Sequence, residues 1–129
     1  MSAEKLKVMV LDDEPIVCKR LQPALEKLGF EVDTFTQSLE ALHEIQETTY
    51  DIIITDLKMK GIDGMRFLQE AKKQHPETEV IVITGFATLD TAKESFQHGV
   101  FDFIAKPFKL SEIQEVVTKA AAKIQKAGA

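Results

Sequence analysis

The stretch Asp51-Ile52-Ile53-Ile54-Thr55-Asp56 decides how this chain is read. Three consecutive β-branched apolar residues describe a strand buried on both faces, the kind found inside a parallel α/β sheet. The strand ends on a carboxylate. Ligands bind beyond the carboxyl ends of the strands in such sheets. Asp56 is therefore placed at the mouth of a site on a rigid mount, with Thr55 as the last residue turning toward solvent.

Working outward, the same grammar repeats. Lys7-Val8-Met9-Val10-Leu11 is a short apolar run that stops at Asp12-Asp13-Glu14-Pro15. This reads as a buried strand and a turn, with Asp13 or Glu14 capping a helix that has Pro15 in its first turn. Val17, Leu21, Ala24, Leu25 and Leu28 follow at helical spacing, and Gly29 ends that helix. Glu31 to Phe35 alternates as a half-exposed edge strand, and Ser38 is expected to cap a helix carrying Leu39, Leu42 and Ile45. Beyond Asp56, Lys58 to Gly64 reads as a loop, with Lys60, Gly61 and Asp63-Gly64 in it. Met65, Phe67, Leu68 and Ala71 make a short helix that stops before His75-Pro76. Val80 to Thr84 is a second doubly buried strand, and a helix from about Thr88 to Gln97 carries Ala92 and Phe96. Phe101 to Ala105 is another edge strand, broken by Lys106-Pro107-Phe108. Leu110, Ile113, Val116, Val117, Ala120, Ala121 and Ile124 draw a long amphipathic helix.

Strict alternation of strand and helix implies a parallel sheet with right-handed crossovers. The most apolar strands, the first, third and fourth, belong in the centre, and the alternating second and fifth belong at the edges. The order 2-1-3-4-5 satisfies this, giving a doubly wound, flavodoxin-like (βα)5 fold whose crevice lies between strands one and three.

The chain has 129 residues and a formal net charge of −5. The length suits one domain, 1–129 with a core from about 5 to 126, and the acidic balance argues against a nucleic-acid surface. No apolar run is long enough to span a membrane, the N-terminus lacks a signal-peptide core, and the single cysteine, Cys18, has no internal partner. A reducing cytoplasm is the expected compartment.

The strand ends carry the chemistry. Asp12 and Asp13 follow strand one, Asp56 ends strand three, Thr84 ends strand four and Lys106 follows strand five. Three carboxylates close together repel one another, which calls for a bound cation or a raised pKa. All-oxygen ligation without His or Cys suits Mg²⁺, with Mn²⁺ as a substitute. Carboxylate, Mg²⁺, lysine and hydroxyl are the parts needed for phosphoryl transfer, and a carboxylate can itself be the nucleophile. Each residue alone has an ordinary explanation: a helix cap, a strand end, a solvated lysine. Four strand ends carrying the required groups in one consistent topology are far more specific.

Taken together, Asp12-Asp13-Glu14-Pro15, Asp56-Leu57-Lys58-Met59, Asp63-Gly64, Thr84-Gly85 and Phe103-Ile104-Ala105-Lys106-Pro107-Phe108 resemble the receiver domains of two-component response regulators, of the chemotaxis-regulator type, over roughly Lys7 to Ile124. The resemblance implies that Asp56 is the phosphoacceptor for a sensor histidine kinase or histidine phosphotransfer protein. It further implies that Asp12, Asp13, Asp56 and the backbone carbonyl of Lys58 hold Mg²⁺. Thr84 matches the switch hydroxyl, Phe103 the switch aromatic and Lys106 the phosphoryl-contacting lysine, whose bond to Pro107 is expected to be cis. The signal would pass through the face made by helix four, strand five and helix five. It would reach an output domain, an effector protein or a second copy of the chain. Lys60 stands where such domains often have proline, and the Lys58 side chain is placed to tune the lifetime of an acyl phosphate.

Rival classes are weaker. An aspartyl-nucleophile phosphatase needs an acid two residues after the nucleophile, where this chain has Lys58, so turnover of outside substrates is not expected. The chain would catalyse only its own phosphotransfer and dephosphorylation. A flavin carrier needs a hydroxyl- and glycine-rich phosphate loop after strand one, and Asp12-Asp13-Glu14 would repel a phosphate. A phosphorylation-independent interaction module leaves the filled switch positions unexplained. His43 and His75 are expected to be solvated, Cys18 to be packed and unreactive, and Phe86, Phe96, Phe101 and Phe108 to supply core or partner surface.

Overall fold

The computed structural model describes residues 5–58 and 63–127. Lys60 and Gly61 lie outside the described residues. Within them, β1 (Lys7–Leu11), α1 (Pro15–Glu26), β2 (Glu31–Phe35), α2 (Ser38–Glu47) and β3 (Ile52–Thr55) alternate. They are followed by α3 (Gly64–Gln74), β4 (Glu79–Thr84), α4 (Leu89–Gln97), β5 (Asp102–Ala105) and α5 (Leu110–Ala127). All strand pairs are parallel, in the order β2-β1-β3-β4-β5. The fold class and strand order read from the sequence are those observed.

The sheet's two faces explain the apolar runs. On one face Val8, Val10, Ile52, Ile54, Ile81 and Ile83 pack with Val17, Leu21 and Leu25 of α1 and Ile113, Val117 and Ala120 of α5. On the other, Met9, Leu11, Ile53, Val80 and Val82 pack with Ala41 and Ile45 of α2 and Phe67, Leu68 and Ala71 of α3. Successive residues of a strand point to opposite faces. A strand sandwiched by helices must therefore be apolar at every position, as Ile52-Ile53-Ile54 is.

Several local expectations shift. Ser38 is the first residue of α2 and Gln37 takes the cap position. Glu14 caps α1, but without a side-chain hydrogen bond. α1 closes at Glu26, and Leu28 is 45% exposed instead of extending the helical stripe. Gly29 adopts φ of +98°, a left-handed conformation that glycine takes without a Cβ penalty, as the chain turns into β2. Thr55 does not face solvent: it is fully buried, and its hydroxyl donates to the Asp56 carbonyl at 3.0 Å. His75 is not free in solvent, because its ring Nε2 is 2.9 Å from the Ile45 carbonyl. Phe108 is buried and Phe101 is half-buried against α5, whereas Phe86 and Phe96 are exposed. Cys18 is buried, its Sγ near the Asp12 and Phe35 carbonyls, and burial pushes the thiol pKa up, so it stays protonated.

One buried polar pair ties the chain ahead of β3 to the edge strand. The Tyr50 hydroxyl donates to Asp33 Oδ2 on β2 at 2.6 Å, while its carbonyl accepts from the Thr78 hydroxyl at 2.6 Å. Burial, then the Asp33 carboxylate, hold the phenol well above its ordinary pKa. Tyr50→Phe is expected to cost about 1–2 kcal/mol in denaturant unfolding at neutral pH, the range for a hydrogen bond to a charged acceptor that can partly rehydrate. Because the folded-state pKa is raised, this stabilisation is complete below the unfolded value of 10.0 and declines as pH rises past it. The gap between the unsubstituted chain and Tyr50→Phe should therefore narrow in alkaline buffer.

Candidate functional site

Three of the site residues are pinned by backbone bonds that extend the sheet past its strands. The Asp12 N–H donates to the Phe35 carbonyl of β2 at 3.0 Å, and the Asp56 N–H to the Leu11 carbonyl of β1 at 3.1 Å. The Lys106 N–H donates to the Thr84 carbonyl of β4 at 2.8 Å. Each functional side chain thus leaves the sheet from a position fixed by its neighbouring strand. The Lys106–Pro107 peptide bond is cis.

Lys106 Nζ is the hub. It lies 2.7 Å from Asp12 Oδ2, 2.7 Å from Glu14 Oε1 and 2.9 Å from Asp56 Oδ2. Asp56 Oδ1 accepts the Lys58 N–H at 3.1 Å, and Asp12 Oδ1 accepts the Glu14 N–H at 2.9 Å. Ligand-type oxygens of Asp12, Asp13 and Asp56 lie within 4.8 Å of one another. Three carboxylates, Asp12, Glu14 and Asp56, therefore gather about one ammonium, with Asp13 beside Asp12 and Asp56, and the local charge is strongly negative. Glu14 is the partner that sequence reasoning misses. The sequence gives it only a capping role, although its place in a run of three acids beside the predicted site is an available signal.

The charge states follow from burial and pairing. Asp12 is fully buried, and desolvation raises its pKa; Lys106 and the Glu14 N–H pull it down, and Asp56 adds repulsion. Burial works against the Lys106 charge, but pairing with Asp12, Glu14 and Asp56 outweighs it and holds the ammonium above its ordinary range. Both partners thus move upward, although pairing alone would lower the acid. Burial dominates Asp12 and pairing dominates Lys106.

The donor set fits a hard divalent cation. Asp12 Oδ2 is buried and has the Lys106 ion pair, short but without hydrogen-bonding geometry, so it has no satisfied hydrogen-bond partner. The cluster offers carboxylate oxygens only, the ligand type that suits Mg²⁺ and Mn²⁺.

Removing the lysine should expose this imbalance. Lys106→Ala in metal-free buffer is expected to destabilise the chain by about 2–4 kcal/mol, since it strips the counter-charge from a buried acid. Acidification should restore part of the loss. Asp12, with its folded-state pKa raised further, is more stable below its ordinary value of 3.8 and loses that stability as pH rises. Urea titrations at several pH values measure this, and saturating Mg²⁺ should narrow the gap.

The remaining predicted residues border the cluster. Thr84 is fully buried, and its Oγ1 accepts the Phe86 N–H at 3.0 Å. Phe103, on β5, is half-buried against the α2/α3 core. The Lys58 side chain is exposed, with its ammonium 4.7 Å from the centre of the Phe86 ring. That pairing is not legible in the sequence, because the two residues lie on different loops. α3 begins hard against the site: the Gly64 N–H donates to the Leu57 carbonyl at 3.1 Å, and Asp63 caps the helix by accepting the Met65 N–H at 3.0 Å.

A doubly wound 2-1-3-4-5 sheet with an acidic cluster and one lysine at its switch point defines a flavodoxin-like domain with a charged site at the strand ends. Residues 8–118 match the response regulator receiver domain family, and the chain belongs to it. It is 34% identical over 118 residues to the DNA-binding transcriptional regulator NtrC of Escherichia coli K12, covering 92% of this chain and 25% of that protein. It is 31% identical over 122 residues to the transcriptional regulatory protein ZraR of Klebsiella oxytoca, covering 95% of this chain and 28% of that protein. The chain thus spans about a quarter of the length of these curated relatives. Among solved structures, it matches the beryllofluoride-activated NtrC4 receiver domain dimer with TM-score 0.86 and 32% identity, covering 92% of this chain and 98% of that one. A CheY-like receiver domain protein from Methanospirillum hungatei JF-1 matches with TM-score 0.92 over 96% of this chain and 99% of that one; at 23% identity this speaks to the fold alone. The chain is therefore a receiver domain of two-component signal transduction. No described helix is long and apolar enough to cross a membrane.

Proposed function

We propose that the chain is a phosphorylation-activated switch with Asp56 as its phosphoacceptor. The observation that carries this is the Asp56 carboxylate itself: 4% exposed, fixed at a strand end, and set between the Lys106 ammonium and the acids of β1. A carboxylate oxygen of Asp56 attacks the phosphorus of a phosphohistidine on a sensor kinase or phosphotransfer protein. The Oδ–P bond forms as the N–P bond breaks, and the histidine departs. Lys106 stands ready to pair with a phosphoryl oxygen, and Thr84 has a hydroxyl proton to give. Asp12, Asp13, Asp56 and the Lys58 carbonyl would hold Mg²⁺, or Mn²⁺, which when bound offsets charge on the phosphoryl oxygens. The chain acts on no outside substrate beyond its own phosphotransfer and dephosphorylation.

The added dianion then biases a two-state equilibrium. Thr84 and Lys106 turn toward it, Phe103 rotates inward, and the α4-β5-α5 face changes shape. The readers of that face would be an output domain or effector protein, as the longer relatives NtrC and ZraR suggest, or a second copy of the chain, as the NtrC4 dimer suggests. The setting is cytoplasmic. Incubation with acetyl phosphate and Mg²⁺ tests the reading: peptide mass analysis should find a metal-dependent phosphoryl group on Asp56. A label that needs no metal, or that sits elsewhere, refutes it.

A further inference from the structure

Helix α4 is held differently from the other four. No residue of α4 belongs to either apolar cluster, and Ser95 is its one buried residue. Leu89 and Phe96 are 72% and 50% exposed. Its C-terminal end is fastened by buried Ser95, whose carbonyl accepts the Val100 N–H at 3.3 Å, and by the Gln69–His98 side-chain contact at 3.1 Å. Its N-terminal end, where Thr91 and Ala92 are half-buried, is tied back by hydrogen bonds, among them the Thr88 N–H to the Phe86 carbonyl at 3.0 Å.

Those bonds form a continuous line back to the site. Thr91 Oγ1 donates to the Phe86 carbonyl at 2.7 Å and accepts the Thr88 N–H at 3.0 Å, while Thr88 Oγ1 accepts the Thr91 N–H at 3.1 Å. The other side of Phe86 is tied as well, since its N–H donates to Thr84 Oγ1. One hydroxyl proton serves one strong acceptor, and the short contact to Phe86 is the best placed for Thr91. Phe86 itself is exposed and fills no core, yet both its peptide groups are bonded, and its ring carries the Lys58 ammonium.

We propose that Thr91 is the positioning residue that latches the first turn of α4 to Thr84 through the Phe86 peptide. Displacement of Thr84 toward a phosphorylated Asp56 then pulls on Phe86, releases Thr91 and lets α4 swing about its fastened C-terminal end. The inference rests on the phosphoacceptor reading of Asp56 and adds a route to α4 that bypasses Phe103. A polar latch suits this role because it exchanges one hydrogen bond for another, whereas a packed apolar contact would resist release.

The test is Thr91→Val, which keeps the branched shape and removes the hydroxyl, with Thr91→Ser as the rescue. Amide hydrogen exchange is followed in this chain with and without beryllofluoride and Mg²⁺. Without them, exchange at Thr91 to Lys93 in Thr91→Val should be roughly five-fold faster, the equivalent of one neutral hydrogen bond. With them, the α4 response of the unsubstituted chain should fall by at least half in Thr91→Val and return in Thr91→Ser, while the rate of Asp56 labelling by acetyl phosphate is unchanged. Labelling intact with an unaltered α4 response in Thr91→Val overturns the latch alone. Failure of the unsubstituted chain to take the label overturns the phosphoacceptor reading, and with it the coupling proposed here.

Discussion

Asp56→Asn is expected to reduce Mg²⁺-dependent labelling by acetyl phosphate to background while leaving the fold intact. The substitution is close to isosteric. Asparagine keeps a single amide oxygen that can still accept the Lys58 N–H that Asp56 Oδ1 accepts at 3.1 Å, while its NH2 takes the place of Oδ2 and gives up the bond from Lys106 at 2.9 Å. It cannot act as a carboxylate nucleophile, so the chemistry stops even with every neighbour in place. The stability readout makes the result interpretable. Asp56 is one of three acids paired with a single ammonium, and its charge raises the Asp12 pKa. Removing that charge relieves repulsion and forfeits one ion pair, two effects of opposite sign. Unfolding free energy should therefore stay within about 1 kcal/mol of the unsubstituted chain, the range of a conservative change without a cavity or an orphaned charge. Labelling retained at the same stoichiometry would exclude Asp56 as the acceptor. Lost labelling with a collapse in stability would point to structural damage instead.

The same residues show what could be read in advance. Ile52-Ile53-Ile54 announced a doubly covered strand because a central parallel strand has no solvent face, and strand order followed from which runs alternated. Positions fixed by a partner elsewhere in the chain were not legible. Glu14 reaches Lys106 across 92 positions of sequence, Phe86 meets Lys58 from another loop, and Tyr50 finds Asp33 on an edge strand. Periodicity also misled on α4. Ala92 and Phe96 mark an apolar face there, but Phe96 lies open and the buried residue is Ser95. A helical repeat reports that a face exists and says nothing of whether this chain covers it. Thr55, read as turning outward, is buried because the sheet continues past it through the Asp56 N–H.

Gly64→Ala is expected to damage both stability and site, against its helix propensity. Alanine is the better helix former, worth up to about 1 kcal/mol within a helix, so propensity alone predicts a gain at this first residue of α3. The surroundings reverse the sign. A Cβ on Gly64 would press on the Asp56 carbonyl, 2.5 Å from Leu57 Cα and 2.7 Å from the Leu57 carbonyl oxygen. All three are backbone atoms, and none can rotate away. Relief requires either the start of α3 or the Asp56-Leu57 segment to shift. The first strains the Gly64 N–H bond to Leu57 and the Asp63 cap; the second moves the proposed acceptor off its mount. A loss of about 2–4 kcal/mol in unfolding free energy follows, at the upper end for overpacking because the clash is with backbone. A displacement approaching an ångström at Asp56 should slow labelling by roughly a hundred-fold where the folded protein persists. Gly85→Ala is the matched control, since a Cβ there meets nothing within 4 Å, and it should leave stability within about 0.5 kcal/mol. If Gly64→Ala instead stabilised the chain and labelled normally, the close docking of α3 on the acceptor strand would be wrong. Asp56 would then owe its position to β3 and its bond to β1 alone.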